Sequence, residues 1–222
     1  MKYAISDIHG CAKTFRKLVE DVLALSKSSD ELYLLGDYVD RGPDSKGVLD
    51  YIMQLKADGY QMTVIRGNHD QLLFDAVHNQ DVSDNWTMNG GASTLLSFKV
   101  DQASEIPPEY YKLIGGMEYY AETESAFLVH AGFNFKAPNV FEDYNSMMYI
   151  RNMSIDNSII GYKKIVHGHT PIPLSDIRRA VDSGEQELNI DNGCVFGAVE
   201  EYGNLVALNL ENFNIITQPY ID

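Results

Sequence analysis

Short apolar runs alternate with apolar positions at helical spacing in the first third of the chain. Residues 3–6 form a short apolar run that ends in Asp7, which predicts a strand. Phe15, Leu18, Val19, Val22 and Leu23 then recur at helical spacing with Lys and Glu between them, which predicts an amphipathic helix. Residues 31–36, "ELYLLG", read as a second buried strand. Asp44 and Ser45 can cap a second helix that carries Val48, Ile52 and Leu55, with Gly59 where a C-terminal cap is expected. Residues 61–67, "QMTVIRG", predict a third strand. This β-α-β-α-β order implies a parallel sheet joined by right-handed crossovers.

The remainder is patterned differently. A helix is predicted near residues 71–77, followed by weak periodicity over 79–116, where "WTMNGGASTLLSF" and "IPPEYYKL" suggest a small helical cap or insertion. "MEYYAETESAFLVHAG" reads as a hairpin, and "KKIVHG", "ELNID", "NLVALNL" and "FNIITQ" as short strands. They predict a second, mixed sheet packed on the first. With no internal repeat and no linker, residues 1–222 are expected to form a single α/β domain.

Composition narrows the classes. Hydrophobic residues make up 45% and charged residues 22%, which excludes global disorder. The net charge of -15 argues against general nucleic-acid binding and against an anionic membrane, since both need a basic face. It does not exclude a small anionic ligand, because a local site can reverse the field. Cys11 and Cys194 cannot make a disulfide framework and fit a reducing compartment. No run approaches the roughly 20 apolar residues of a membrane span. Asp7 and His9 interrupt the place where a signal segment would continue, so a soluble, cytoplasmic protein is expected.

The chemistry-bearing clusters share one position, each directly after an apolar run. They are Asp7-Ile8-His9-Gly10, the stretch from Gly36 through Asp37 and Asp40 to Arg41-Gly42, Arg66-Gly67-Asn68-His69-Asp70, His130-Ala131-Gly132 and His167-Gly168-His169-Thr170. The carboxyl ends of parallel strands line one crevice, so five loops distant in sequence can converge there. Imidazole with carboxylate and amide oxygen suits Mn, Fe or Zn better than calcium. The donors are too many for one tetrahedral zinc with an open position, and about right for two ions sharing a bridging carboxylate. Gly10, Gly36, Gly67, Gly132 and Gly168 are expected to let the backbone turn sharply beside the ions.

The ordered set D-x-H-G, G-D-x-x-D-R-G, R-G-N-H-D, V-H-A-G and H-G-H-T resembles the serine/threonine phosphoprotein phosphatase branch of the calcineurin-like metallophosphoesterases, in its short bacterial and phage-type form. Symmetrical diadenosine tetraphosphatases are the sister group. The resemblance implies a four-layer αββα sandwich of two packed mixed sheets, and two divalent ions, manganese first, with iron or zinc as alternatives. It implies Asp7 and His9 as ligands of the first ion, Asp37 as the bridge, and Asn68, His130 and His169 as ligands of the second. His69 matches the general acid and Asp40 the carboxylate that orients it. Arg41 and Arg151 match the arginines that grip the phosphoryl oxygens, with Asn68 also at the substrate. His167 competes with His169 for the ligand role and is placed outside the shell. The implied reaction is in-line attack on phosphorus by a hydroxide bridging the two ions, with a phosphorylated protein as substrate.

The residues bear on other readings as well. Hydrolysis of dinucleoside polyphosphates uses the same blocks, so residues 79–116 are expected to separate the two activities. An inactive phosphoprotein-binding module would show degenerate ligands, and none is missing. Cys11 and Arg16 do not bracket the phosphate loop of a thiol phosphatase, and no P-loop motif exists. Asp191, before Asn192-Gly193, reads as a turn residue, and Trp86 as core or cap packing.

Overall fold

A computed structural model describes residues 1–25 and 31–222. The first third runs β1 (Lys2–Ile5), α1 (Ala12–Ala24), β2 (Glu31–Leu34), α2 (Ser45–Ala57), β3 (Gln61–Val64) and α3 (Asn68–Ala76). Each strand ends before its apolar run does, although Ser6, Leu35 and Ile65 still donate backbone hydrogen bonds to Val206, Ile5 and Leu34 (3.0, 3.0 and 2.9 Å) before the loops begin. The third helix starts at Asn68, three residues before the predicted 71. Asp70, in its first turn, accepts the Gly67 N–H (2.9 Å) and so satisfies a donor that the helix start would leave free.

Residues 79–116 are helical throughout their folded parts: α4 (Gln80–Trp86), a π segment (Thr87–Gly91), α5 (Ala92–Phe98), a 3₁₀ turn (Ala103–Glu105) and α6 (Pro108–Gly115). Then follow β4 (Tyr120–Glu122), β5 (Ala126–Val129), α7 (Tyr144–Tyr149), α8 (Asn157–Ile160), β6 (Lys164–His167), α9 (Leu174–Ser183), β7 (Glu187–Asn189), β8 (Asn204–Asn209) and β9 (Ile215–Pro219).

Two mixed sheets form, in the orders β3-β2-β1-β8-β9 and β4-β5-β6-β7. The last two strands correct the expectation that all late strands enter the second sheet: β8 pairs antiparallel with β1, and β9 with β8. The physical reason is that β8 is apolar on both faces. Leu205 and Ala207 pack under the helices of the first sheet, while Val206 and Leu208 face the gap between sheets. A strand buried on both sides belongs inside a sheet, not at an edge.

Alternation assigns the layers. Tyr3 and Ile5 join Phe15, Leu18, Val48 and Ile52 in the core beneath α1 and α2. Ala4, Tyr33, Leu35 and Ile65 meet Leu128, Val166 and Leu188 between the sheets. Phe127, Val129 and Ile165 pack outward against Phe133, Val140 and Met147. The result is the helix–sheet–sheet–helix sandwich expected. The parallel strands β1, β2 and β3 of one sheet, and β5 and β6 of the other, carry the five polar clusters at their carboxyl ends.

Candidate metal centre

Asp7 and His9 follow β1, Asp37, Asp40 and Arg41 follow β2, and Asn68 and His69 open α3 after β3. His130 follows β5 and His169 follows β6, so loops from both sheets meet. The meeting strains the backbone. Five of the eight non-glycine residues with positive φ among the described residues lie here: His9 (46°), Asp37 (50°), Asp40 (72°), Arg41 (69°) and His169 (73°). Such conformations cost of order 1–3 kcal/mol each and persist only where surrounding bonds over-determine them.

The histidines are oriented by backbone carbonyls. His9 Nδ1 donates to the Val39 carbonyl (2.9 Å) and His130 Nδ1 to that of Leu35 (2.9 Å), which leaves both Nε2 lone pairs facing inward. His130 Nε2 lies 3.2 Å from His169 Nδ1, and Asn68 Oδ1 lies 3.0 Å from each. His167, by contrast, turns its Nε2 toward Glu187 (3.4 Å), away from this cluster. His169, not His167, is therefore the histidine that reaches Asn68 and His130.

Two groups of donors have the spacing to hold a cation, His9 with Asp37 and His69, and Asp37 with His130 and His169. Asp37 is common to both, as a bridging ligand must be. Asp7 is outside the first triplet: its Oδ2 accepts the His169 N–H (2.9 Å), and its buried Oδ1 has no hydrogen-bond partner among the described residues. His169 Nε2 is likewise buried and unpartnered. Two of the glycines work differently from the expected turns. Gly67 and Gly168 have ordinary φ, and a Cβ on either would collide with a carboxylate oxygen, of Asp37 and Asp7 respectively. They make room for the acids.

Electrostatics agrees with a cationic occupant. Burial pushes Asp7 well above the usual carboxylate range, and neighbouring Asp191 and Asp37 push it further. Burial likewise brings Asp191 up to about 7, so this turn residue is a buried acid beside the cluster, which the sequence pattern did not reveal. Burial lowers His9 to about 3 and His169 to about 3, and lowers His130, so all three present neutral imidazoles. Burial also acts to raise Asp37, but in acid, where His130, His69 and His9 take up protons, their positive charge outweighs it and holds that carboxyl below its usual range. Crowded buried carboxylates with converging nitrogen lone pairs are the chemistry of a transition-ion site, and the residues present fit two such ions.

Arg41, after β2, joins the loops that follow β1 and β3. Its guanidinium donates to His9 Nε2 (2.8 Å) and His69 Nε2 (2.9 Å). His69 Nδ1 donates to Asp40 Oδ2 (2.8 Å). Arg151 is exposed, and its charge helps to lower His169. Asp70, given no role from the sequence, accepts the N–H groups of Asp37 (2.9 Å), Tyr38 (3.0 Å) and Gly67 (2.9 Å) and so ties the second loop to the third.

The family description "calcineurin-like phosphoesterase" matches residues 3–204. The chain belongs to this family. It is accordingly a metallophosphoesterase, a hydrolase of phosphate esters whose family uses a di-metal centre. Among curated proteins it is 29% identical over 201 residues to serine/threonine-protein phosphatase 1 of Salmonella typhimurium, covering 88% of this chain and 87% of that one. It is 27% identical to the asymmetrical bis(5'-nucleosyl)-tetraphosphatase PrpE of Geobacillus thermodenitrificans, over 97% and 92% of the two chains. A symmetrical bis(5'-nucleosyl)-tetraphosphatase of Buchnera aphidicola is 45% identical, but over only 34% of this chain and 26% of its own. A crystal structure provisionally named a diadenosine tetraphosphatase superposes with a TM-score of 0.65 at 22% identity, covering 100% of this chain and 94% of its own, and shows the shared fold. No helix among the described residues is long and apolar enough to cross a membrane.

Proposed function

We propose that this metallophosphoesterase is a serine/threonine protein phosphatase that works with two divalent ions, manganese by preference. Asp7, His9 and Asp37 would hold the first ion, and Asp37, Asn68, His130 and His169 the second. When bound, the ions supply Lewis-acid charge and make water a nucleophile at neutral pH. The remaining work falls to the chain. The forked guanidinium of Arg41, joined by Arg151, suits a tetrahedral dianion and stabilises charge on its oxygens.

His69 is the general acid of this reading. Its Nδ1–H is committed to Asp40, so Nε2 is the atom that delivers a proton to the leaving alkoxide. Burial acts to lower His69, but Asp37 and Asp40 raise it above an ordinary imidazole, which favours the protonated form needed in an acid. Arg41 can only donate, so while it contacts His69 Nε2 that nitrogen must accept. A phosphoryl group that draws Arg41 to itself frees Nε2 for the proton, which couples substrate binding to arming of the acid.

The observation that carries the phosphoprotein reading is the likeness to the Salmonella phosphatase across nearly the whole of both chains. A second reading, dinucleoside polyphosphate hydrolysis, is favoured by the likeness to the Geobacillus protein, which covers still more of both chains. The test is the manganese-loaded protein on a phosphoserine peptide and on diadenosine tetraphosphate, with and without chelator. Chelator-sensitive phosphate release from the peptide supports the first reading. An untouched peptide with cleaved dinucleotide establishes the second; two diphosphates mark symmetrical cleavage, and ATP with AMP asymmetrical cleavage.

A further inference from the structure

Asp40 is completely buried, yet four hydrogen bonds from three side chains end on its carboxylate. His69 Nδ1 donates to Oδ2 (2.8 Å), Trp86 Nε1 reaches both Oδ1 and Oδ2 (2.9 Å each), and Thr94 Oγ1 donates to Oδ1 (2.7 Å). Thr94 Oγ1 also accepts the Asp40 N–H (2.9 Å), shared with Ser45 Oγ (3.0 Å). Next door, the Gly90 carbonyl accepts the Arg41 N–H (3.2 Å). Trp86, Gly90 and Thr94 all belong to the segment from α4 to α5, which holds none of the proposed metal ligands.

We propose that Trp86 and Thr94 are positioning residues for the reaction: they pin the Asp40 carboxylate so that His69 Nε2 is held on the line of the leaving group. The proposal rests on the reading of His69 as general acid. A carboxylate bonded to His69 alone could rotate about its own axis and let the ring tilt. With Trp86 chelating both oxygens and Thr94 holding one oxygen and the backbone N–H, that rotation is blocked.

A purely structural role does not account for the arrangement. A buried indole N–H needs one acceptor, and any backbone carbonyl would serve. Placing a carboxylate there brings a desolvation penalty that a packing role gives no reason to accept. The donors also hold Asp40 and Arg41 as a pair, both at positive φ, where a few lost bonds would let the loop relax. This gives the "WTMNGGAST" stretch a task in the reaction itself, in place of a cover over it.

The test compares leaving groups, because a general acid matters for a poor leaving group and hardly for a good one. The manganese-loaded wild type, Trp86→Phe, Thr94→Val, Thr94→Ser and His69→Asn proteins are assayed on phenyl phosphate and on a dinitrophenyl phosphate, with metal content measured for each. Trp86→Phe and Thr94→Val are expected to cut kcat on phenyl phosphate on the order of tenfold, part of the roughly 10²–10⁴ a general acid supplies. On the dinitrophenyl ester the loss is expected below about twofold, with KM and metal content unchanged, and Thr94→Ser should restore the wild-type rates. Equal losses on both esters, or none, in Trp86→Phe and Thr94→Val while His69→Asn discriminates between them would overturn the proposal and leave the acid assignment standing. A His69→Asn protein that does not discriminate removes that assignment and the proposal with it. Thr94→Val changes few atoms and decides the matter even if Trp86→Phe does not fold. Independently of turnover, Trp86 is the one tryptophan of the chain, so its indole N–H gives a single resonance. It should lie downfield, resist exchange and move upfield in Asp40→Asn; a resonance indifferent to Asp40→Asn contradicts the proposal.

Discussion

His130 Nε2 and His169 Nδ1 face each other at 3.2 Å, although they follow different strands of the second sheet. The Leu35 carbonyl occupies His130 Nδ1, so the nitrogen facing His169 brings a lone pair. Asn68 Oδ1, 3.0 Å from both, brings another. Three acceptors with at most one proton among them make a poor hydrogen-bonded core and a good cation cage. His169→Ala is therefore expected to lose about one ion per chain, and Asp37→Asn, common to both donor groups, both ions. Elemental analysis after gel filtration in manganese checks this. Melting temperature should rise with added manganese in the wild type and stay flat in Asp37→Asn, since only a ligand bound by the folded state stabilises it.

Acid should destabilise the metal-free protein earlier than an ordinary acidic domain. His9 is held at about 3 and His130 is lowered, both by burial, while an unfolded histidine titrates near 6.5. Below that pH the unfolded chain takes up protons that the folded chain refuses. Their contribution to stability is thus full above about 6.5 and is lost as the pH falls toward 3. The slope is about 1.4 kcal/mol per pH unit for each histidine that stays neutral in the fold. Half-buried His169, also at about 3, adds less. Urea unfolding of chelator-treated protein between pH 7 and pH 5 measures the slope, and a flat profile over that range contradicts it.

Asp70→Asn should be costly although it removes no predicted catalytic group. The side chain is fully buried and accepts three backbone N–H groups, from Asp37, Tyr38 and Gly67. An amide offers one oxygen and turns an NH₂ toward the remaining donors. Each orphaned donor costs about 1–3 kcal/mol. Denaturant titration should show that loss, and metal affinity should fall with it because Asp37 hangs on the same carboxylate.

Arg41→Ala should weaken phosphate binding more than it disturbs the fold. The residue is exposed and its guanidinium is held by two imidazole nitrogens on the site's inner face. Inhibition by inorganic phosphate should weaken at least tenfold, with the melting temperature within a few degrees of wild type. Arg41→Lys should not rescue binding, because an ammonium cannot make the forked contact. A large fall in melting temperature with unchanged phosphate inhibition would assign Arg41 to structure.

Much of this was legible along the chain because the chemistry is local. Each cluster lies within a few residues of an apolar run, and the end of that run announces where the backbone leaves the sheet. So Asp7, His9, Asp37, Asn68, His69, His130 and His169 could be named, and a β-α-β-α-β start read, before any contact was known. The helix boundary at Asn68 was less legible, since it depends on Asp70 reaching back to Gly67.

What the sequence by itself determined is the list of donors and the strand after which each one stands, because residue type and hydrophobic period are properties of a few neighbours. What only the tertiary structure decided is who meets whom. That β8 enters the first sheet, that Asp191 lies buried beside Asp7, and that Trp86 and Thr94 close on Asp40 are all long-range facts. The physical reason is that burial and hydrogen-bond satisfaction are settled between residues as far apart as Trp86 and Asp40 or Tyr3 and Asn209, where no periodicity connects the partners.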